Sequence, residues 1–168
     1  LLQLIAGHEG ATTDAVFLPN GTQVVSGGAD KTVRLWNLAD GLQLRNYTGC
    51  GEAVTSVAVT VDGNRVVAGS VDKSVRVWSI APPPPKEPAK TAKQATPTKK
   101  ETPPKPVTVV AIAAWVHPTI VRDAQPTPNG TRVVTTADDG IVRVWDVTAG
   151  LMLERFEGSS GLAAIFPA

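Results

Sequence analysis

Short runs of β-branched and apolar residues, broken about every ten residues by Gly, Asp or Asn, cover most of this 168-residue chain. Strand-like stretches occupy 15–18, 57–60 and 123–127, and each leads into Asn20-Gly21, Asp62-Gly63 or Asn129-Gly130. Such dipeptides favour tight hairpins, because a two-residue hairpin turn needs positive φ at both central positions. Val24-Val25, Val66-Val67 and Val133-Val134 follow. A second turn then comes around Asp30, Asp72 and Asp139, and after it runs such as Thr32-Val33-Arg34-Leu35-Trp36. A fourth stretch lies at 42–47 and again at 151–156. No segment sustains a helical period, so the pattern predicts an all-β chain with four strands per unit.

The units repeat. Segments starting at Asn20, Asp62 and Asn129 align without gaps through Trp36, Trp78 and Trp145. Trp36 and Trp78 stand 42 residues apart, and the 67 residues from Trp78 to Trp145 return to 42 once a 25-residue Pro-rich stretch is set aside. A fixed period of this size marks a stacked array in which each unit buries its faces against its neighbours.

That stretch, 82–106, holds nine of the 14 prolines and six lysines against two glutamates, a local charge of +4. It has no aromatic residue and no aliphatic side chain larger than Ala beside its prolines, so it is expected to be an extended, flexible insertion. Outside it, ten basic face thirteen acidic residues, so the net charge of +1 is a basic insertion set in a mildly acidic body. Cys50 is the single cysteine, which excludes an internal disulfide. No apolar run reaches the roughly 18 to 20 residues that span a bilayer. The first residues lack the charged start and cleavage site of a secretion signal, and localisation is not legible.

The 42-residue period, Gly7-His8 at the opening of a unit and Trp145-Asp146 at the end of a strand resemble the WD-repeat family of β-propellers. Trp36-Asn37 and Trp78-Ser79 stand at the same position in degenerate form. The resemblance implies four-stranded antiparallel blades, about three of them, with partial strands at both ends. It implies a structural tetrad of His8, Ser26, Asp30 and Trp36 in the first unit and of His117, Thr135, Asp139 and Trp145 in the third. In the second, only Asp72 and Trp78 match, with Cys50 and Ala68 in the other places, so that unit is expected to be less rigidly held. The register assigns 1–81 to the first two units, the second lacking its outer strand, and 82–106 to the turn before that strand. The remainder, 107–168, holds that outer strand (107–116), the third unit and the start of a further one. Residues 1–6 align with 43–48, an outer strand.

Ser, His and Asp in one unit invite a hydrolase reading, but a similar set recurs in the third unit and no Gly-x-Ser-x-Gly elbow is present. His8, Cys50 and His117 share one repeat position, and equivalent positions on successive units diverge, so they are not expected to meet on one metal ion. No Gly-rich phosphate loop appears, and no cofactor is expected. The lysines of the insertion come without Arg or aromatics, so it reads as a spacer and nucleic acid is not expected as a partner. What remains is a non-catalytic scaffold that binds other proteins or peptides through variable loops. In the family, the loops entering each unit and the turns between its second and third strands form the binding face, which here places Glu9, Thr12, Asp14, Glu52, Thr55, Ser56, Arg122, Asp123 and Asp138 on it. Charge reversal at Glu9, Asp14 or Asp123 is expected to weaken binding with little change in melting temperature. The other reading is a regulatory or targeting segment of a larger multidomain protein, an enzyme-associated one whose catalysis sits elsewhere in the longer chain, to which the absent initiator Met points. Self-association to complete a ring is the further expectation, because three units leave sheet faces open.

Overall fold

The computed structural model describes residues 5–80 and 107–157. Thirteen strands and no helix make up these residues, in three sheets. The first sheet is an antiparallel meander of β1 (Thr12–Phe17), β2 (Gln23–Gly28), β3 (Val33–Asn37) and β4 (Gln43–Tyr47). The second begins with β5 (Val54–Val59), β6 (Arg65–Ser70) and β7 (Ser74–Ser79). Two short strands follow, β8 (Val107–Val109) and β9 (Ala113–Val116). The third sheet is β10 (Val121–Pro126), β11 (Arg132–Ala137), β12 (Ile141–Asp146) and β13 (Met152–Glu157). Because no helix forms, none is long and apolar enough to cross a membrane among the described residues.

The paired valines explain how the sheets stack. Successive side chains of a strand point to opposite faces, so a doubled apolar position means both faces are covered. Val66 packs into a cluster with Val25, Val33, Leu35 and Tyr47 of the first unit, beside Trp78. Its neighbour Val67 packs the other way, with Val121, Val133 and Trp145 of the third. Aromatic pairs seal both interfaces: Tyr47 meets Trp78 at 5.8 Å, and Trp115 stacks on Trp145 at 5.4 Å. Gly27 is needed at the first interface, because a Cβ there would lie 2.5 Å from Val54 of the next unit.

Two expectations are corrected. The hairpins between first and second strands are not two-residue turns with positive φ throughout; only Gly21, Gly63 and Gly130 adopt it. The loops are longer, closed by Leu18 N–H to Gln23 O at 2.9 Å and its counterparts at Thr60 and Thr127. In each, Asn20, Asp62 or Asn129 accepts a hydrogen bond from the amide two residues on, which fixes the turn without left-handed backbone at that residue. The second correction concerns 107–116, which is not one strand. Trp115 pairs opposite Val75 and Ala113 opposite Val77, so within 107–116 only β9 pairs with β7, antiparallel and on the edge that β6 leaves open. A ten-residue strand would outrun the six residues of β7. The surplus, β8, instead pairs in parallel with β4, as a fifth strand on the first unit.

The insertion at 82–106, the opening residues 1–4 and the tail 158–168, where strand fragments are expected, lie outside the described residues; Ile5 and Ala6 belong to no strand.

Candidate functional site

The loop entering each unit and the turn between its second and third strands meet at one end of the sheets. In the first unit their contact is a closed hydrogen-bond chain. Trp36 Nε1 donates to Ser26 Oγ at 2.8 Å, which lies 2.7 Å from His8 Nε2. His8 Nδ1 is 3.0 Å from both Asp30 carboxylate oxygens. Every donor is satisfied if the indole N–H donates to Ser26, the Ser26 hydroxyl to His8 Nε2, and the Nδ1 proton to Asp30. Asp30 also accepts from the amides of Glu9 and Thr32, the Thr32 hydroxyl and Arg34. Burial works against its charge, but the bonds from Thr32, Glu9 and His8 outweigh it and hold the carboxyl well below the usual range.

This is the wrong wiring for a nucleophile. In a catalytic triad the serine proton must leave through histidine while the oxygen stays free to attack. Here Ser26 is buried, 5% exposed, and its oxygen already accepts the indole proton.

The third unit departs from the first. Thr135 Oγ1 joins Trp145 Nε1 at 2.9 Å and His117 Nε2 at 2.8 Å, but Asp139 does not hydrogen-bond to His117. Arg143 takes that carboxylate instead, at 2.6 and 3.1 Å, and holds its pKa below the ordinary value. His117 Nδ1 is left buried with no partner among the described residues. Burial first, and then the Arg143 charge, pull the imidazole pKa down to about 4.

In the second unit, Ala68 offers no hydroxyl, and Trp78 Nε1 donates to the carbonyl of Thr48 at 3.2 Å. The indole stays fully buried, so a backbone acceptor replaces the missing side chain. Asp72 accepts from Ser74 Oγ, from the Gly51 amide at 2.6 Å and from Arg76 at 2.9 Å. Burial opposes its charge, yet these donors bring its pKa down to about 2. Half-buried Cys50 has its thiol pushed up by burial, against the pull of Arg76.

A feature missed in the sequence is Arg34, Arg76 and Arg143, four residues after each turn aspartate and paired to it at 2.9, 2.9 and 2.6 Å. The signal was present, since Asp-x-x-x-Arg recurs in all three units.

The expected contact residues divide into two sets. Asp14 accepts from the Val57 amide of the next unit at 2.8 Å, and Thr55 donates to Val121 O of the third at 2.8 Å. Asp123 accepts from the Ala124 amide, and Ser56 is buried. Of these four, Asp14 and Thr55 tie one unit to the next. Glu9, Thr12, Glu52, Arg122 and Asp138 are exposed at the loop end. Glu52 lies 3.3 Å from Lys31, and Arg122 clasps Asp138 at 2.5 and 2.7 Å. Lys31 and Lys73 are exposed at the same end and were not among the expected contacts. Among the described residues, no three His, Cys, Asp or Glu side chains are grouped to hold a metal ion.

A family profile described as "WD domain, G-beta repeat" matches residues 1–37, 41–79 and 112–146. Over 38 residues the chain is 45% identical to a Neurospora crassa protein named "Periodic tryptophan protein 2 homolog". That match takes in 23% of this chain and 4% of the relative, so the aligned stretch is a small part of a much longer protein.

Proposed function

The chain belongs to the WD40 family of G-beta repeats, and from that premise we propose that it is a non-catalytic scaffold whose loop end binds other proteins or peptides. WD repeats generally mediate protein–protein interactions, and proteins of the family are typically non-catalytic. One observation carries the reading. Apart from the buried Nδ1 of His117, the His, Ser, Thr and Asp groups of the polar chains are tied to one another, to indole N–H groups or to arginines. At the same end, charges of both signs stay exposed on all three units: Glu9 and Lys31, Glu52 and Lys73, Arg122 and Asp138. Mixed exposed charge of this kind steers association and selects partners.

The test is charge reversal with two readouts, partner affinity and melting temperature. Glu9→Lys with Arg122→Glu weakens capture of the partner while the melting temperature holds. Asp14→Lys, which loses its bond to the Val57 amide, lowers the melting temperature instead. Normal partner binding by the Glu9/Arg122 double variant sinks the reading. The great length of the relative favours a second one, in which the scaffold serves a larger protein as a regulatory or targeting segment.

A further inference from the structure

Among the paired strands, β8 alone runs parallel to its neighbour, and it lies outside the four-stranded meander that the repeat dictates. It pairs Val107 with Arg45, Thr108 with Asn46 and Val109 with Tyr47, and Thr48 N–H donates to Val109 O at 3.2 Å. Beyond it the chain crosses to the second unit through Val110 and Ile112, which are 76% and 56% exposed. Pairing with β7 starts only at Ile112 N–H to Val77 O. The strand is therefore three residues long and is needed by neither meander. With β8 lifted away, β1–β4 and β5–β7 with β9 keep all their mutual pairings.

Two features show what the edge of β4 accepts. Val109 and Ala111 pack on the cluster that contains Tyr47 and Trp78, so the edge takes an apolar side chain opposite Tyr47. The fit is incomplete, because Tyr47 Oη and Asn46 Oδ1 are buried without a hydrogen-bond partner among the described residues. Tyr47 is itself fully buried. A buried polar group left unpaired costs more than a made hydrogen bond returns, so a strand supplying a donor and an acceptor there would hold the edge better than Val-Thr-Val does.

We propose that the outer edge of the first unit is a docking site for an extended peptide running parallel to β4, and that β8 occupies it within the chain until such a partner displaces it. Recognition is strand addition: backbone pairing gives affinity, and alternate side chains give selectivity. The partner keeps a β-branched residue opposite Tyr47, as Val109 is, and opposite Asn46 it carries a longer donor side chain in place of Thr108, which leaves Asn46 Oδ1 unpaired. This site is at the rim, away from the loop end, and it stands or falls independently of the loop-end reading.

The probe is a labelled peptide with the sequence of residues 105–111, Lys-Pro-Val-Thr-Val-Val-Ala, against a scrambled control. Val109→Asp places a charge against the buried cluster and releases β8. The expected result is peptide binding at least about tenfold tighter to Val109→Asp than to the unaltered chain, with the near-ultraviolet spectrum of the tryptophans retained. In the unaltered chain, the Val109 amide exchanges at least about tenfold faster than the amides of β9. A folded Val109→Asp that binds no more peptide than the unaltered chain overturns the proposal. Should that variant not fold, exchange in the unaltered chain decides: a Val109 amide as protected as β9 overturns it.

Discussion

Ser26 and His117 are the two residues on which the polar chains turn, and each yields a measurable consequence. Ser26→Ala removes the acceptor of the Trp36 indole and leaves a buried N–H unpaired. The expected loss is about 1–3 kcal/mol in chemical denaturation, with partner binding unchanged below the melting transition. A variant as stable as the parent would mean that the chain from Trp36 to Asp30 does not hold the first unit. For His117, the folded pKa of about 4 lies below the ordinary 6.5. The folded state therefore favours the neutral ring, and its stabilising contribution is complete above pH 6.5 and lost as pH falls through 4. Urea midpoints should drop across that window, and His117→Gln should flatten the drop. If the slope is identical in His117→Gln, another group titrates there. Asp72 does not account for it, since its window runs from 3.8 down to about 2. The His117 result also shows what sequence alone conceals. His117, Thr135, Asp139 and Trp145 occupy the same repeat positions as the closed set of the first unit, yet Asp139 goes to Arg143. Asp30 takes both His8 and Arg34, whereas Asp139 takes Arg143 without His117, so which donors reach the carboxylate depends on side-chain packing that residue identity at a repeat position does not encode.

At the scale of strands and turns, much was legible. Trp spacing and valine doublets locate the three meanders, and in the middle unit, which has a neighbour on each side, the doublet has both faces covered while Val24 and Val134 are half-buried. Turn geometry was less so. Asn20-Gly21 alone predicts a two-residue turn, whereas the side chain of Asn20 caps a longer loop. The turns between second and third strands carry a further cost: Lys31 and Lys73 adopt φ of 67° and 69°, where the third unit has Gly140 at 72°. Left-handed backbone disfavours a Cβ, so Lys73→Gly is expected to raise stability by up to about 1 kcal/mol in thermal unfolding. Lys31→Gly should gain less, because Lys31 also donates to Gly51 O at 2.7 Å. A lower melting temperature for Lys73→Gly would contradict the strain argument. The split of 107–116 into β8 and β9 was not legible, since Val-Thr-Val-Val-Ala-Ile-Ala-Ala-Trp-Val reads as one apolar run and only the short length of β7 divides it.

For the molecule as a whole, the stacking rule leaves one side of the third unit different from its counterparts. Val25, Val33, Leu35 and Tyr47 are at most 2% exposed, whereas Phe156, which stands opposite Val142 as Tyr47 stands opposite Val33, is 54% exposed. Among the described residues, no unit covers that face as the second unit covers Tyr47. Under the proposed function, partners meet the loop end. A photo-crosslinking residue placed at Glu9 or at Arg122 tests it most directly when compared with one at Ala149, in the turn at the opposite end of β12. Positions 9 and 122 are expected to give covalent adducts with partner protein and position 149 none. Adducts from 149 alone, or equally from both ends, would contradict it.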